Sequence, residues 1–246
     1  MIKVTGDGWE VPSISCSTQK LAEAVYKIFS SYVGEEIKSD ILVNNNRHKE
    51  YPLAHFEKNN GNWEITLCCE SGNHWAQMAY QLSHELCHLY CNHSLARKHK
   101  HKWFEESLCE CASIAVMYKL GEDWNFFEIS SYNSSYGSHI TEYIGQVVNT
   151  VHRLFDTSNE FTSWLSSMLP QLEKSSTQRE INKVVAIYLF NSILKEQSDN
   201  WSAIISLNLW DCSMDRNFYS FIDNWLFASE SNFEEVKKIT TLLGDS

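Results

Sequence analysis

The chain has 246 residues, enough for one large domain or two small ones. Hydrophobic residues make up 43% and aromatics 13%, which supplies a substantial core and argues against disorder. The formal net charge of −11 disfavours nucleic acid or an anionic membrane as partner, and no run reaches the ~18 apolar residues of a membrane span.

Met1–Gly8 has no apolar run of signal-peptide length, so a cytoplasmic location is expected. The eight cysteines are accordingly read as reduced thiols, buried or near a site, rather than as a disulfide framework. Cys68 and Cys69 are adjacent, which is poor geometry for a bridge to each other, and Cys16 and Cys212 stand alone. Cys109-Glu110-Cys111 is too tight for a usual zinc knuckle.

Residues 1–15 read as an irregular or strand-like lead-in. Ser17 or Thr18 can cap a helix over about Gln19–Tyr32, with Leu21, Val25, Ile28 and Phe29 as its apolar stripe and Gly34 as its end. Ile37–Val43 is strand-like, with Asn44-Asn45-Asn46 as a turn. Tyr51–Phe56 is a second strand candidate, and Asn59-Asn60-Gly61-Asn62 a strong turn signal. Trp63–Cys69 is rich in strand formers.

From His74 to Cys91 there is no Pro or Gly, and Asn73 can cap the start of a helix there. Trp75, Met78, Ala79, Leu82, Leu86, Leu89 and Tyr90 cover most of its circumference, so it is expected to be buried on nearly all sides. Within it stands His84-Glu85-Leu86-Cys87-His88. On a helix the two histidines are one turn apart and face the same way, so both imidazoles can bind one zinc ion. Glu85, next to the first of them, can take a proton from water activated by the metal. A buried helix carrying two His and a Glu needs partners for them, because unpaired buried charge is costly.

Asn92–Lys102 is basic and polar. It is read as an exposed connection in which His93, His99 and His101 are solvated. A helix follows over Trp103–Leu120, ended by Gly121. It opens with Trp103-Phe104-Glu105-Glu106-Ser107-Leu108-Cys109-Glu110. Together with His84-Glu85-x-x-His88 this run resembles the gluzincins, the HExxH metallopeptidases that include thermolysin and the aminopeptidase N-type enzymes. Their third zinc ligand is a Glu on a following helix. The resemblance covers residues 63–120. It implies Glu106 as the third ligand and Glu110, one turn on, as the residue that orients a zinc-bound histidine. Glu105 competes for the ligand role but points to a different face. The chain departs from the pattern in carrying Cys87 where many relatives have Gly. It also lacks the Gly-x-Met-Glu-Asn motif of aminopeptidase N-type enzymes, so an aminopeptidase activity is not supported.

Beyond residue 121 come a loop or short helix rich in aromatics and then a mainly helical half. Helices are predicted near 139–155, 159–169, 177–196, 201–209, 216–228 and 232–243, separated at Asp156-Thr157-Ser158, Pro170, Ser198-Asp199-Asn200 and Asp211–Asp215. Val184, Val185, Ile187, Tyr188 and Leu189 read as core.

The expected fold is therefore α+β and, by the resemblance, zincin-like. A small mixed sheet packs on the HExxH helix, and a helical C-terminal half follows. Residues 1–130 would form the catalytic subdomain and 131–246 a helical subdomain closing a cleft. Trp63–Cys69 is the candidate edge strand for an extended substrate. The expected activity is zinc-dependent hydrolysis of peptide bonds in a peptide or protein substrate, with Zn²⁺ on His84, His88 and Glu106 and with Glu85 as general base. The resemblance also implies a Tyr or His from the helical half as oxyanion donor. Tyr143, shortly before Gly145, matches best, followed by Tyr136, His139 and His152. Two other readings stay open. One is a catalytically silent zinc-binding regulatory or interaction protein on the same scaffold. The other is a structural zinc with Cys87 or Cys91 as fourth ligand.

Overall fold

A computed structural model describes residues 1–10, 16–96, 100–149, 155–195, 198–211 and 215–244. The fold is α+β. The elements run β1 (Ile2–Val4), α1 (Cys16–Val33), β2 (Ile41–Asn45), β3 (Leu53–Ala54), β4 (Trp63–Leu67), α2 (Trp75–Tyr90) and α3 (Lys102–Glu122). They continue with α4 (Tyr136–Asn149), α5 (Ser158–Leu172), α6 (Arg179–Leu189), α7 (Phe218–Ala228) and α8 (Phe233–Leu243). A π-helical turn, Phe190–Leu194, prolongs α6, and the stretch predicted as a helix near 201–209 is a 3₁₀ segment over Ser198–Ser206.

Among the described residues one sheet forms, of four strands in the order β1-β2-β4-β3. β1, β2 and β4 are parallel, with Ile2 opposite Ile41 and Ile41 opposite Trp63. β3 pairs antiparallel with β4, Leu53 opposite Thr66 and Ala54 opposite Ile65. This corrects the expected edge strand. β4 lies inside the sheet, between β2 and β3, and the edge on that side is β3. Sequence pattern finds the strand of highest β propensity, but such a strand with partners on both sides is interior.

The Asn44-Asn45-Asn46 turn is also displaced. Asn44 and Asn45 belong to β2, because Asn45 finds the partners a strand interior demands. Its Nδ2 donates to the carbonyls of Gly8 and Cys69 at 2.7 and 2.9 Å, and its Oδ1 accepts from the Cys69 amide at 2.8 Å. Gly8 is needed at this crossing, since a Cβ there would stand 1.9 Å from the Asn45 carbonyl oxygen.

By contacts the chain forms two compact units, each drawn from separated stretches. The first comprises Met1–Ser31, Glu35–Leu89 and Ala112–Asn149; the second comprises Tyr32–Gly34, Tyr90–Cys111 and Thr150–Ser246. In the first, Leu21, Val25, Ile28 and Phe29 of α1 are buried as their stripe predicts, together with Ile41, Val43, Ile65 and Leu67 of the sheet. Gly34, at φ +83°, supplies the left-handed residue after α1. The α3 helix does not stop at Gly121, which lies inside it. Its role is close approach to α4. A Cβ on Gly137 would stand 2.6 Å from Trp124 Cβ and 2.9 Å from the Gly121 carbonyl, so both glycines let backbone meet backbone.

The second unit is built on aromatic side chains. Trp103 and Phe104, at the start of α3, pack on Phe218 of α7 with ring centroids 4.7 and 5.7 Å away. Phe104 also meets Phe221 and Trp225. Phe161 of α5 stacks on Tyr188 of α6 at 3.7 Å. Pro170, expected as a breaker, lies inside the last turn of α5, and Leu172 beyond it is fully buried. Among the described residues no helix is long and apolar enough to cross a membrane.

Candidate metal centre

The α2 helix is buried almost all round, as its composition predicts. Met78, Ala79, Leu82, Ser83, Leu86 and Cys87 have no exposure. From Gln77 to the end of the helix, only Gln77, Tyr80, Gln81, His84 and His88 are half-buried. These form one stripe at helical spacing, so the two histidines occupy the one line of this helix that solvent and small ions reach. Gln77 and Gln81 use their positions to hold the end of β4, their Oε1 atoms accepting from the amides of Glu70 and Cys68 at 3.2 and 2.8 Å. His84 and His88 stand edge to face, ring centroids 5.1 Å apart.

Glu85 leaves that stripe and turns inward. It is buried, and its Oε2 accepts the backbone N–H of Ala54 at 2.6 Å. The neighbouring amide, His55 N, donates to Glu64 of β4 at 2.9 Å, so Ala54 presents its own N–H on the outer side of the edge strand. The sheet edge and the carboxylate are thereby fixed to each other. Sequence reasoning missed Ala54; a backbone donor has no residue-type signature.

Within the first unit, Ser113 Oγ of α3 donates to the Tyr80 carbonyl of α2 at 2.9 Å. His84 and His88 belong to this unit, whereas Glu106, Cys109 and Glu110 belong to the second. Glu106 is the sequence-predicted third ligand. It lies one turn from Cys109 on the same side of α3. Glu106 and Glu110 are half-buried and share a stripe, whereas Cys109 is fully buried. Glu105 is committed elsewhere: its Oε2 accepts from Asn208 Nδ2 at 2.9 Å, and the same amide donates to the Cys91 carbonyl at 2.7 Å. Cys87 and Cys91, the fourth-ligand candidates of the structural-zinc reading, are both fully buried.

Cys111 of α3 is buried, and burial pushes its thiol well above the ordinary range. Burial also pushes Cys69 up to about 12, so neither of these is a thiolate nucleophile. Cys68, Cys69, Cys87, Cys91, Cys109 and Cys111 are in no disulfide.

Of the oxyanion-donor candidates, Tyr143 lies on α4 with its ring edge-on to Tyr80 at 6.3 Å, one turn from His84. It is 40% exposed. Tyr136 sits instead at the start of α2. Its hydroxyl accepts the Ala76 amide at 3.3 Å, and its ring packs on Trp75 and Trp124. Ala76 is two turns before His84, roughly 12 Å along the axis at 1.5 Å per residue. His139 is exposed beside Tyr136. His152, like His99 and Cys212, lies outside the described residues. His93 and His101, expected to be solvated, are buried; His101 packs between the rings of Phe218 and Phe221, with Nδ1 3.5 Å from Glu173.

Comparison with protein-family models, with characterised proteins and with solved structures finds no match to this chain.

Proposed function

We propose that the protein is a zinc-dependent peptidase of the zincin type. The observation that carries the reading is the arrangement on α2. Two imidazoles stand one turn apart on the accessible stripe, and between them in sequence is a buried carboxylate tied to the edge of the sheet. The donors suit zinc: two imidazole nitrogens on α2, with Glu106 as the carboxylate that the motif supplies. His84, His88 and Glu106 would hold the ion. When bound, zinc supplies Lewis-acid polarisation of a carbonyl and lowers the pKa of water.

The rest of the chemistry belongs to the chain. Glu85 takes a proton from the attacking water as the new C–O bond forms, and passes it to the amine as the C–N bond breaks. Water and a peptide are consumed; a carboxylate and an amine are released. Ala54 N–H fixes the orientation of that base. Tyr143 donates its hydroxyl proton in a hydrogen bond to the developing oxyanion. Glu110 orients a ligand imidazole. Tyr143→Phe should then lower turnover about 10²–10³-fold with zinc binding intact. Steady-state kinetics and metal analysis of the variant check this; unchanged turnover removes Tyr143 from the mechanism.

The second reading is a zinc centre without turnover, in which four protein donors would close the coordination shell. Digestion of an unbiased peptide library, with and without chelator, separates the two. The peptidase reading expects cleavage that chelation abolishes and zinc restores. A zinc-loaded protein that cleaves nothing leaves only the silent centre.

A further inference from the structure

We propose that the side-chain amides of Gln77 and Gln81 form a docking line for an extended peptide, each Nε2 donating to a backbone carbonyl of the bound chain. The inference rests on the peptidase reading for what that peptide is, a substrate, and deepens it by naming what is recognised: extended backbone rather than a particular side chain. Its first support is how the two amides are held. Their Oε1 atoms accept the backbone N–H groups of Glu70 and Cys68 at 3.2 and 2.8 Å. A backbone N–H bonds the oxygen of a side-chain amide and not its nitrogen, so these bonds fix which way each amide is turned. One Nε2 N–H of the planar amide then points away from the held C=O. Among the described residues neither Nε2 meets an acceptor, and neither is one of the buried polar atoms left without a partner, so both reach solvent.

The second support is spacing. Gln77 and Gln81 are one turn apart on the half-buried stripe of α2, about 6.0 Å along its axis. Same-side groups of an extended chain repeat every two residues, about 6.6–6.8 Å. The two periods already mesh on one side of the glutamines, because Cys68 and Glu70, whose amides they accept, are two residues apart just past the end of β4. A peptide on the open side meets the same period. Its next same-side carbonyl would fall about 6.7 Å beyond the one on Gln81. His84 and His88 lie about 4.5 and 10.5 Å beyond Gln81 along the helix, so that carbonyl arrives between them.

The third support is that the rim of the sheet is already taken. The Ala54 N–H, on the outer side of β3, is held by Glu85 Oε2 at 2.6 Å, and the Cys68 and Glu70 amides are held by the glutamines. An incoming strand cannot pair with these three donors directly. The glutamines present two N–H groups in their place, one side chain further out, on the line that leads to the histidines. Glu85, a carboxylate, has no N–H to add, so the donors stop where the proposed chemistry starts. Every residue named in this line belongs to the first unit.

The test is a nuclear magnetic resonance titration of the nitrogen-15-labelled wild-type chain, stripped of metal by chelator so that nothing is cleaved. The probe is a mixture of blocked hexapeptides with randomised side chains. The Nε2 signals of Gln77 and Gln81 should move together as peptide is added, with one midpoint. Gln77→Glu and Gln81→Glu keep an oxygen for the Glu70 and Cys68 amides but delete the donor. Each should raise the midpoint about tenfold, the upper end of what one hydrogen bond contributes. Glutamine signals that stay put while peptide binds overturn the inference, as does an unchanged midpoint in either variant or a stripped chain that binds no hexapeptide. If a variant does not fold, the wild-type shifts decide. Cleavage of the mixture by the zinc-loaded chain keeps the two readings apart. Cleavage with the glutamine signals unmoved in the stripped chain removes the docking line and leaves the peptidase. Moved signals without cleavage leave the docking line as a peptide-binding site and remove the peptidase.

Discussion

Glu85→Gln is expected to fold, to bind zinc, and to lose peptide hydrolysis about 10²–10⁴-fold, the range that a positioned general base contributes. The substitution is unusually clean here. The amide oxygen of the new side chain can still accept the Ala54 N–H that Glu85 accepts at 2.6 Å, so the tie to the sheet edge survives. What disappears is proton affinity. A truncation to Ala would instead leave the Ala54 amide without its acceptor at a buried position, mixing a folding defect into the kinetics. Single-turnover cleavage of a peptide identified in the library digest, with zinc content measured on the same sample, checks the prediction. Undiminished hydrolysis by the Glu85→Gln variant would mean that the proton is taken elsewhere.

His84→Ala and His88→Ala should each weaken zinc binding by more than the about 10–100-fold that losing an outer-shell partner of a ligand costs. Both side chains are half-buried on the same stripe, and neither is replaceable by its neighbours on α2. Gln81 is occupied at Cys68, and Tyr80 packs on Tyr143. Stability should report the same loss. Zinc at 100 times its Kd stabilises the wild-type fold by about 2.7 kcal/mol, which raises Tm, and this zinc-dependent rise should vanish in both variants. Competition titration against a chelator and thermal unfolding with and without zinc provide the two readouts. A variant that binds zinc as tightly as the wild type would remove that histidine from the centre.

The α2 helix was the most legible part of the fold. Its lack of Pro and Gly, its near-continuous apolar coverage and the spacing of His84 and His88 all survive in the structure. The sheet was harder to read. Leu53 and Ala54 form the edge strand, yet two residues carry no usable period, and the stronger pattern of Trp63–Leu67 drew the edge assignment to an interior strand. Asn45 and Gly121 misled for a common reason. Each is a residue type that usually ends an element, and each is held inside one by tertiary contacts that local sequence does not encode: the Gly8 and Cys69 backbone for Asn45, the α4 helix for Gly121. At the site, the histidines and Glu85 were legible from the motif. The Ala54 N–H that Glu85 accepts was not, because a backbone donor carries no residue-type signal and the tie between α2 and the sheet edge is distant in sequence.

The central claim is that the His84–His88 pair is a zinc site. It is tested most directly by equilibrium dialysis of the chelator-stripped wild-type chain against a buffered zinc solution, with bound metal determined by elemental analysis. The account predicts saturation at about one zinc per folded chain. A folded chain that stays metal-free at saturating zinc would contradict it.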